Sequence, residues 1–151
     1  MALQIKIITP ERVVLEETVD AVTLPTAMGE ITVLPHHIPL VALLETGVMT
    51  LKKGATETHL ASSGGFVEVL PESRVNILAD SAERAEELSW EKVEEAKRAA
   101  EKILAGKRYT DESGQAAALG SLERELARLK AIRRRGAHSR PRGPHIGGEI
   151  E

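Results

Sequence analysis

The feature that most limits how this chain can fold is a change of hydrophobic period near residue 80. Before it, Leu3, Ile5 and Ile7 alternate with Gln4 and Lys6, the period of two that marks a half-buried strand. Further short apolar runs follow at Val13–Leu15, Val19–Leu24, Ile31–Leu34, Val41–Leu44, Val48–Leu51, Glu57–Ala61, Phe66–Leu70 and Val75–Ala79. Pro10, Pro25, Pro35 to Pro39, Gly47, Gly54, Gly64-Gly65 and Pro71 punctuate them. Short strands at that spacing predict an antiparallel β-sandwich or barrel.

After residue 80 the period lengthens. Val93, Ala96, Ala100 and Ile103 fall at steps of three, four and three, and Leu119, Leu122, Leu126 and Leu129 repeat those steps. Each set predicts an apolar stripe on a helix. Ser89 is placed to cap the first helix, and the polar, glycine-bounded stretch from Ala105 to Gly114 reads as the loop between the two. Two such helices pack as an antiparallel hairpin. Four covered leucines contribute about 1.5–3 kcal/mol each before any entropic cost, so the hairpin is expected to leave the sandwich at modest cost. The expected organisation is a β-sandwich over residues 1–87, a helical hairpin over 88–135, and a disordered Gly/Pro-rich tail over 136–151.

Composition narrows the function classes. Hydrophobic residues make up 42% of the 151, but aromatics only 2%, so the core is built from Val, Leu, Ile and Ala. Cysteine is absent, which excludes disulfides, thiolate nucleophiles and cysteine zinc sites. Residues 1–8 lack a basic n-region and a cleavage site, so no secretory signal is expected. The longest apolar run, Ile38 to Leu44, has seven residues, far short of the ~20 that span a bilayer. The net charge of −3 conceals an asymmetry. Residues 1–88 carry six basic and thirteen acidic side chains, whereas residues 89–151 carry fourteen and ten. The two parts are therefore expected to face different partners.

Candidate chemistry is sparse. His36 and His37, between Pro35 and Pro39, invite a metal reading. Adjacent residues in an extended segment point to opposite faces, however, and only Glu30 lies near as a third ligand, so a proline-fixed surface loop is the simpler reading. Ser62-Ser63-Gly64-Gly65 lacks a phosphate-loop lysine and a following helix, and reads as a tight turn. Neither a Gly-x-Ser-x-Gly elbow nor a His-Glu-x-x-His motif occurs. The basic end around Arg124 to Arg142 is not accompanied by aromatic platforms, so an acidic protein surface explains it better than nucleic acid.

Three stretches carry a resemblance. Gly29-Glu30-Ile31-Thr32-Val33-Leu34-Pro35-x-His37-x-Pro39-Leu40, ending at Gly47, is similar to a signature of the epsilon subunit of bacterial F-type ATP synthase. Ser63-Gly64-Gly65-Phe66-Val67-Glu68-Val69 resembles its second signature, and Val75 to Ala85 its third. All three occur in order, and the likeness covers residues 1 to about 135.

The resemblance implies a sandwich of about ten strands followed by two helices, in a non-catalytic rotor subunit with no cofactor. Its implied partners are the gamma subunit, the c-ring and the alpha and beta catalytic subunits, with no nucleic acid and no membrane insertion. Its implied place is the cytoplasmic face of the bacterial inner membrane. The loop from Gly29 to Pro39 would form the foot of the sandwich, with Glu30, Pro35, His36, His37 and Pro39 meeting the c-ring or gamma. Arg124, Arg128, Lys130, Arg133, Arg134 and Arg135 would contact the catalytic subunits and restrain hydrolysis. Some members bind ATP at the start of the first helix. Here Ser89, Lys92 and Ala99 replace an aspartate and two arginines of that motif, removing bidentate donors that lysine does not replace. The reading left open beside it is a free-standing adaptor for an acidic protein.

Overall fold

The computed structural model describes residues 2–106 and 112–138. Eight strands come first: β1 (Leu3–Ile8), β2 (Val13–Val19), β3 (Ala21–Thr26), β4 (Gly29–Val33), β5 (Leu40–Leu43), β6 (Gly47–Lys53), β7 (Thr56–Leu70) and β8 (Arg74–Arg84). A 3-10 turn, Ala85–Glu87, leads into helix α1 (Trp90–Gly106), and α2 spans Glu112–His138.

The strands form a sandwich in which β7 and β8 serve both layers. In the first layer the order is β2-β1-β8-β7-β5, using Arg74–Leu78 of β8 and Phe66–Leu70 of β7. In the second it is β4-β3-β6-β7-β8, using the N-terminal half of β7 and the C-terminal half of β8. Counted by layer, the eight strands furnish ten segments, which reconciles eight with the expected ten. Every pairing is antiparallel except β1 with β8, which run parallel.

Two sequence expectations change here. The stretch Ser62 to Gly65 is not a turn between strands but a kink inside β7. Gly64 and Gly65 take φ of 56° and 111°, values open to glycine at little cost. A Cβ on Gly65 would run into the carbonyl oxygen of Leu78 on β8. The inward alternation changes phase at this point: Leu60 is buried before the kink, Val67 and Val69 after it. The run Val19–Leu24 is likewise two strands rather than one. The chain crosses between layers at Asp20, whose carboxylate accepts from the Gly54 N–H at 2.6 Å.

Between the layers lies one apolar core. Leu3, Ile5, Ile7, Val75 and Ile77 of the first layer meet Val22, Leu24, Met49, Leu51 and Leu60 of the second, each at most 1% exposed. All buried members of this core lie between Leu3 and Ala82.

The helical hairpin packs on the outside of the second layer, through Val48, Ala61, Ala85 and Ala131 with Leu88 beside them. Its stripes differ from those expected. Val93 and Ala100 of α1 are buried, but Ala96 and Ile103 are exposed; on α2, Leu129 is buried while Leu119 and Leu126 are 49% and 46% exposed. Among the described side chains of α2, the buried ones are Ala118, Glu125, Ala127, Leu129 and Ala131. Alanines allow close approach to α1 and the sandwich at once, and the helix turns two leucines outward as a result. Within the expected loop from Ala105 to Gly114, α1 runs through Gly106 and α2 begins at Glu112; residues 107–111 lie outside the described residues. Helix α2 also passes Arg135, the expected end of the hairpin, to reach His138. The rest of the expected tail, 139–151, lies outside the described residues.

Candidate interaction surfaces

The stretch 29–40 is a strand with a different feature at each end, not one foot loop. At the first end, Thr26 Oγ1 donates to the Gly29 carbonyl at 2.5 Å and accepts from the Met28 N–H at 3.3 Å. This shapes a tight β3–β4 turn that leaves Met28 91% exposed and Glu30 in solvent. At the other end of β4, the His37 N–H donates to the Leu34 carbonyl at 3.1 Å, closing a four-residue turn. Pro35 and His36 occupy its centre, and His36 takes φ of 65°. Proline followed by a positive φ is the pattern of a type II turn. His36 is exposed, His37 half-buried with Nδ1 2.7 Å from the Ile38 carbonyl, and Pro39 exposed. Among the described residues no group of His, Asp or Glu is placed to hold a metal ion.

The outer face of the first layer carries a feature that periodicity did not single out. Leu43 pairs with Phe66, Phe66 with Leu78, Leu78 with Ile8, and Ile8 with Val13. The inner faces of the same strands hold the core, so by strand alternation Leu43, Phe66, Leu78 and Ile8 point outward; Val13, in phase with the buried Leu15, is turned out by the register shift that skips Val14. Leu43, Phe66, Leu78 and Val13 are 46–56% exposed. The row crosses all five strands of the layer. Val41, 68% exposed, extends it along β5 toward Pro39. The signal was present in the sequence as apolar residues at both phases of β5, β7 and β8, but it does not reveal which phase lies outside.

The basic residues of α2 fall into two groups. Arg124 and Lys130 are exposed, and Arg133 lies over the Trp90 ring of α1, 5.5 Å from its centroid. Arg134 is half-buried and Arg135 exposed. Arg128 is engaged within the chain, its guanidinium donating to Glu83 on β8 and to Glu125 on its own helix. Burial lowers its pKa, but the hydrogen bonds and charges of Glu83 and Glu125 outweigh that and raise it above the ordinary arginine value. These groups line a cleft of about 300 Å³ between hairpin and sandwich, with Ser89 and Lys92 on its wall. Ala99 is not part of that wall; it borders a hollow on α1 formed with Arg98, Lys102 and Ala105.

Among the described residues no helix is long and apolar enough to cross a membrane. Residues 2–85 match the family described as ATP synthase, Delta/Epsilon chain, beta-sandwich domain. The ATP synthase epsilon chain of Dehalococcoides mccartyi is 45% identical over 136 residues, 90% of this chain and 96% of that one. That of Herpetosiphon aurantiacus is 40% identical over 135 residues, 89% and 97% of the two chains. Among solved structures, a chain of the Euglena gracilis mitochondrial ATP synthase OSCP/F1/c-ring assembly aligns with a TM-score of 0.74 at 25% identity, covering 87% of this chain and 81% of that one. A chain from the Tetrahymena thermophila mitochondrial ATP synthase central stalk and c-ring shares the fold, with a TM-score of 0.61 at 14% identity and coverage of 87% and 97%. On the match of its sandwich, of its near-full length to these relatives and of its two-helix extension, the chain belongs to the ATP synthase epsilon chain family.

Proposed function

We propose that this chain is a non-catalytic central-stalk subunit of a membrane-associated rotary ATP synthase. It couples the gamma subunit to the c-ring during ion-driven synthesis and restrains ATP hydrolysis through its helices. The observation that carries the reading is the apolar row from Leu43 to Val13. Soluble proteins seldom leave a contiguous apolar band of this kind uncovered unless it is an interface. A stiff sandwich with such a band suits a part that must be held against a rotating partner. The band and the adjoining Pro35–Pro39 turn, with His36 and His37, form the gamma-facing surface. The β3–β4 turn, with Glu30 and Met28, faces the polar loops of the c-ring. Proline holds its own φ near −65°, which keeps the Pro35–Pro39 turn from yielding under load. The subunit sits peripherally on the cytoplasmic face of the membrane.

For restraint of hydrolysis, α2 leaves the sandwich and lays Arg124, Arg128, Lys130, Arg133, Arg134 and Arg135 against acidic segments of the alpha and beta subunits. The test uses a catalytic head of alpha, beta and gamma assembled with and without the full chain. The chain is expected to co-purify with the head and to lower its ATPase rate. Replacing Arg124, Arg128, Arg133, Arg134 and Arg135 together by Ala should retain co-purification and relieve the inhibition. Failure to co-purify would favour a free-standing adaptor; an equal rate with and without the arginines would remove the braking role.

A further inference from the structure

The contact between α2 and the sandwich combines a weak apolar patch with one strong polar link. The patch is Val48, Ala61, Ala85 and Ala131; alanine supplies a single methyl, so this face adheres little. The link is Arg128. One terminal nitrogen holds Glu83 of β8 and the other holds Glu125 of α2. Glu83 stands directly across the strand pair from Ala61, so the charged link and the apolar patch adjoin.

Glu125 makes this link conditional. It is only 6% exposed, and its Oε2 has no hydrogen-bond partner among the described residues. A buried carboxylate with an unpaired oxygen favours any state that returns it to water, unless a cation stays beside it. Docking therefore depends on Arg128 remaining between the two acids. The guanidinium fork is filled from within the chain, so the docked state has its anions built in and needs no added one.

We propose that Glu83, Arg128 and Glu125 form a charge-operated latch that keeps the hairpin docked, opened by whatever draws Arg128 away: high salt or a competing acidic protein segment. Glu83 is the strike, Arg128 the bolt, and Glu125 a compressed counterforce that speeds release once the bolt moves. The proposal rests on the docked geometry of this chain and not on its place in any assembly.

The test uses the full chain, which has no cysteine of its own. Glu45→Cys and Lys130→Cys lie on one groove between the sandwich and α2, so pyrene labels there give excimer emission while the hairpin is docked. Arg128→Ala and Glu83→Gln should each raise the open-to-docked ratio by roughly tenfold, as expected for a part-buried, charge-assisted hydrogen bond. Their double variant should open no further than either alone. Glu125→Leu removes the unpaired oxygen but leaves Arg128 on Glu83, so it should stay docked. Added sodium chloride should open the unmodified latch and have little effect on the Arg128→Ala variant. Equal excimer emission from the parent and Arg128→Ala chains across the salt series, with both still folded by circular dichroism, would overturn the latch. So would additive effects of Arg128→Ala and Glu83→Gln.

Discussion

The backbone N–H of His36 donates to Ser73 Oγ at 2.9 Å, which ties the turn after β4 to the turn between β7 and β8. The two are 37 residues apart in sequence. The bond explains why a histidine sits where a type II turn ordinarily wants glycine: the left-handed backbone is held by a partner outside the turn. The paired histidines that look like chemistry in the sequence are thus, at His36, part of a surface fastening.

His36→Gly should therefore stabilise the fold. A left-handed backbone costs a residue with a Cβ about 1 kcal/mol, and glycine removes that cost while keeping the N–H that reaches Ser73. Thermal melting followed by circular dichroism should show a rise of a few degrees. A fall would mean that the histidine side chain itself braces the turn.

Gly65→Ala should do the opposite. The added methyl meets the Leu78 carbonyl at a φ of 111°, so β7 and β8 must separate where they pass between layers. A loss of about 3 kcal/mol, from backbone strain and overpacking together, is expected in urea denaturation. Gly54→Ala, at a turn with nothing within 4 Å of the new methyl, should cost less and serves as the comparison.

Residues 1–88 should fold alone. The buried members of the sandwich core end at Ala82, with none from the described residues of either helix. A truncation after Leu88 should melt cooperatively. A broad, non-cooperative transition would show that the hairpin completes the core.

Hairpin docking should be insensitive to pH between neutrality and about pH 10. The Arg128 pKa is raised in the folded state, so its contribution is fully present below the ordinary arginine pKa and is lost only as pH rises through the still higher folded value. The other charged groups on that cleft are Glu83 on β8, Glu87 on the 3-10 turn, Lys92 on α1 and Glu125 on α2. Excimer emission from labels on Glu45→Cys and Lys130→Cys should stay level as pH rises over this range at fixed salt. A marked loss near pH 9 would point to another group as the controlling charge.

Much of the sandwich was legible because its strands keep one buried phase: Leu3, Ile5 and Ile7 announce both strand and inner face. Legibility ended where two physical outcomes share one pattern. A Gly-Gly pair marks a turn or a kink equally, and only the partner strand Leu78–Ala79 decides between them. Asp20 sits in an otherwise apolar run, so the crossing between layers has no local signal beyond one carboxylate. On α1 two of the four stripe positions, Val93 and Ala100, are buried as expected, whereas on α2 Leu119 and Leu126 give way to their neighbours Ala118, Glu125 and Ala127, because α2 meets two neighbours and buries small residues toward both. The pairing of Arg128 with Glu83, 45 residues away, could not be read from spacing at all. Of the expected contact residues, Glu30 and the Pro35–Pro39 turn are at the surface, while Arg128 is engaged inside the chain.

The most direct test of the account is the affinity of the full chain for the gamma subunit of the same organism, measured by titration calorimetry. Phe66→Lys and Leu78→Lys each place a charge in the middle of the apolar row without touching the core. The account predicts thermal melts close to those of the parent chain and binding weakened by about 30-fold or more, the ~2 kcal/mol typical of a central interface residue. Undiminished affinity in both variants would contradict it, because the outer face of the first layer would then not be the surface that holds the rotor.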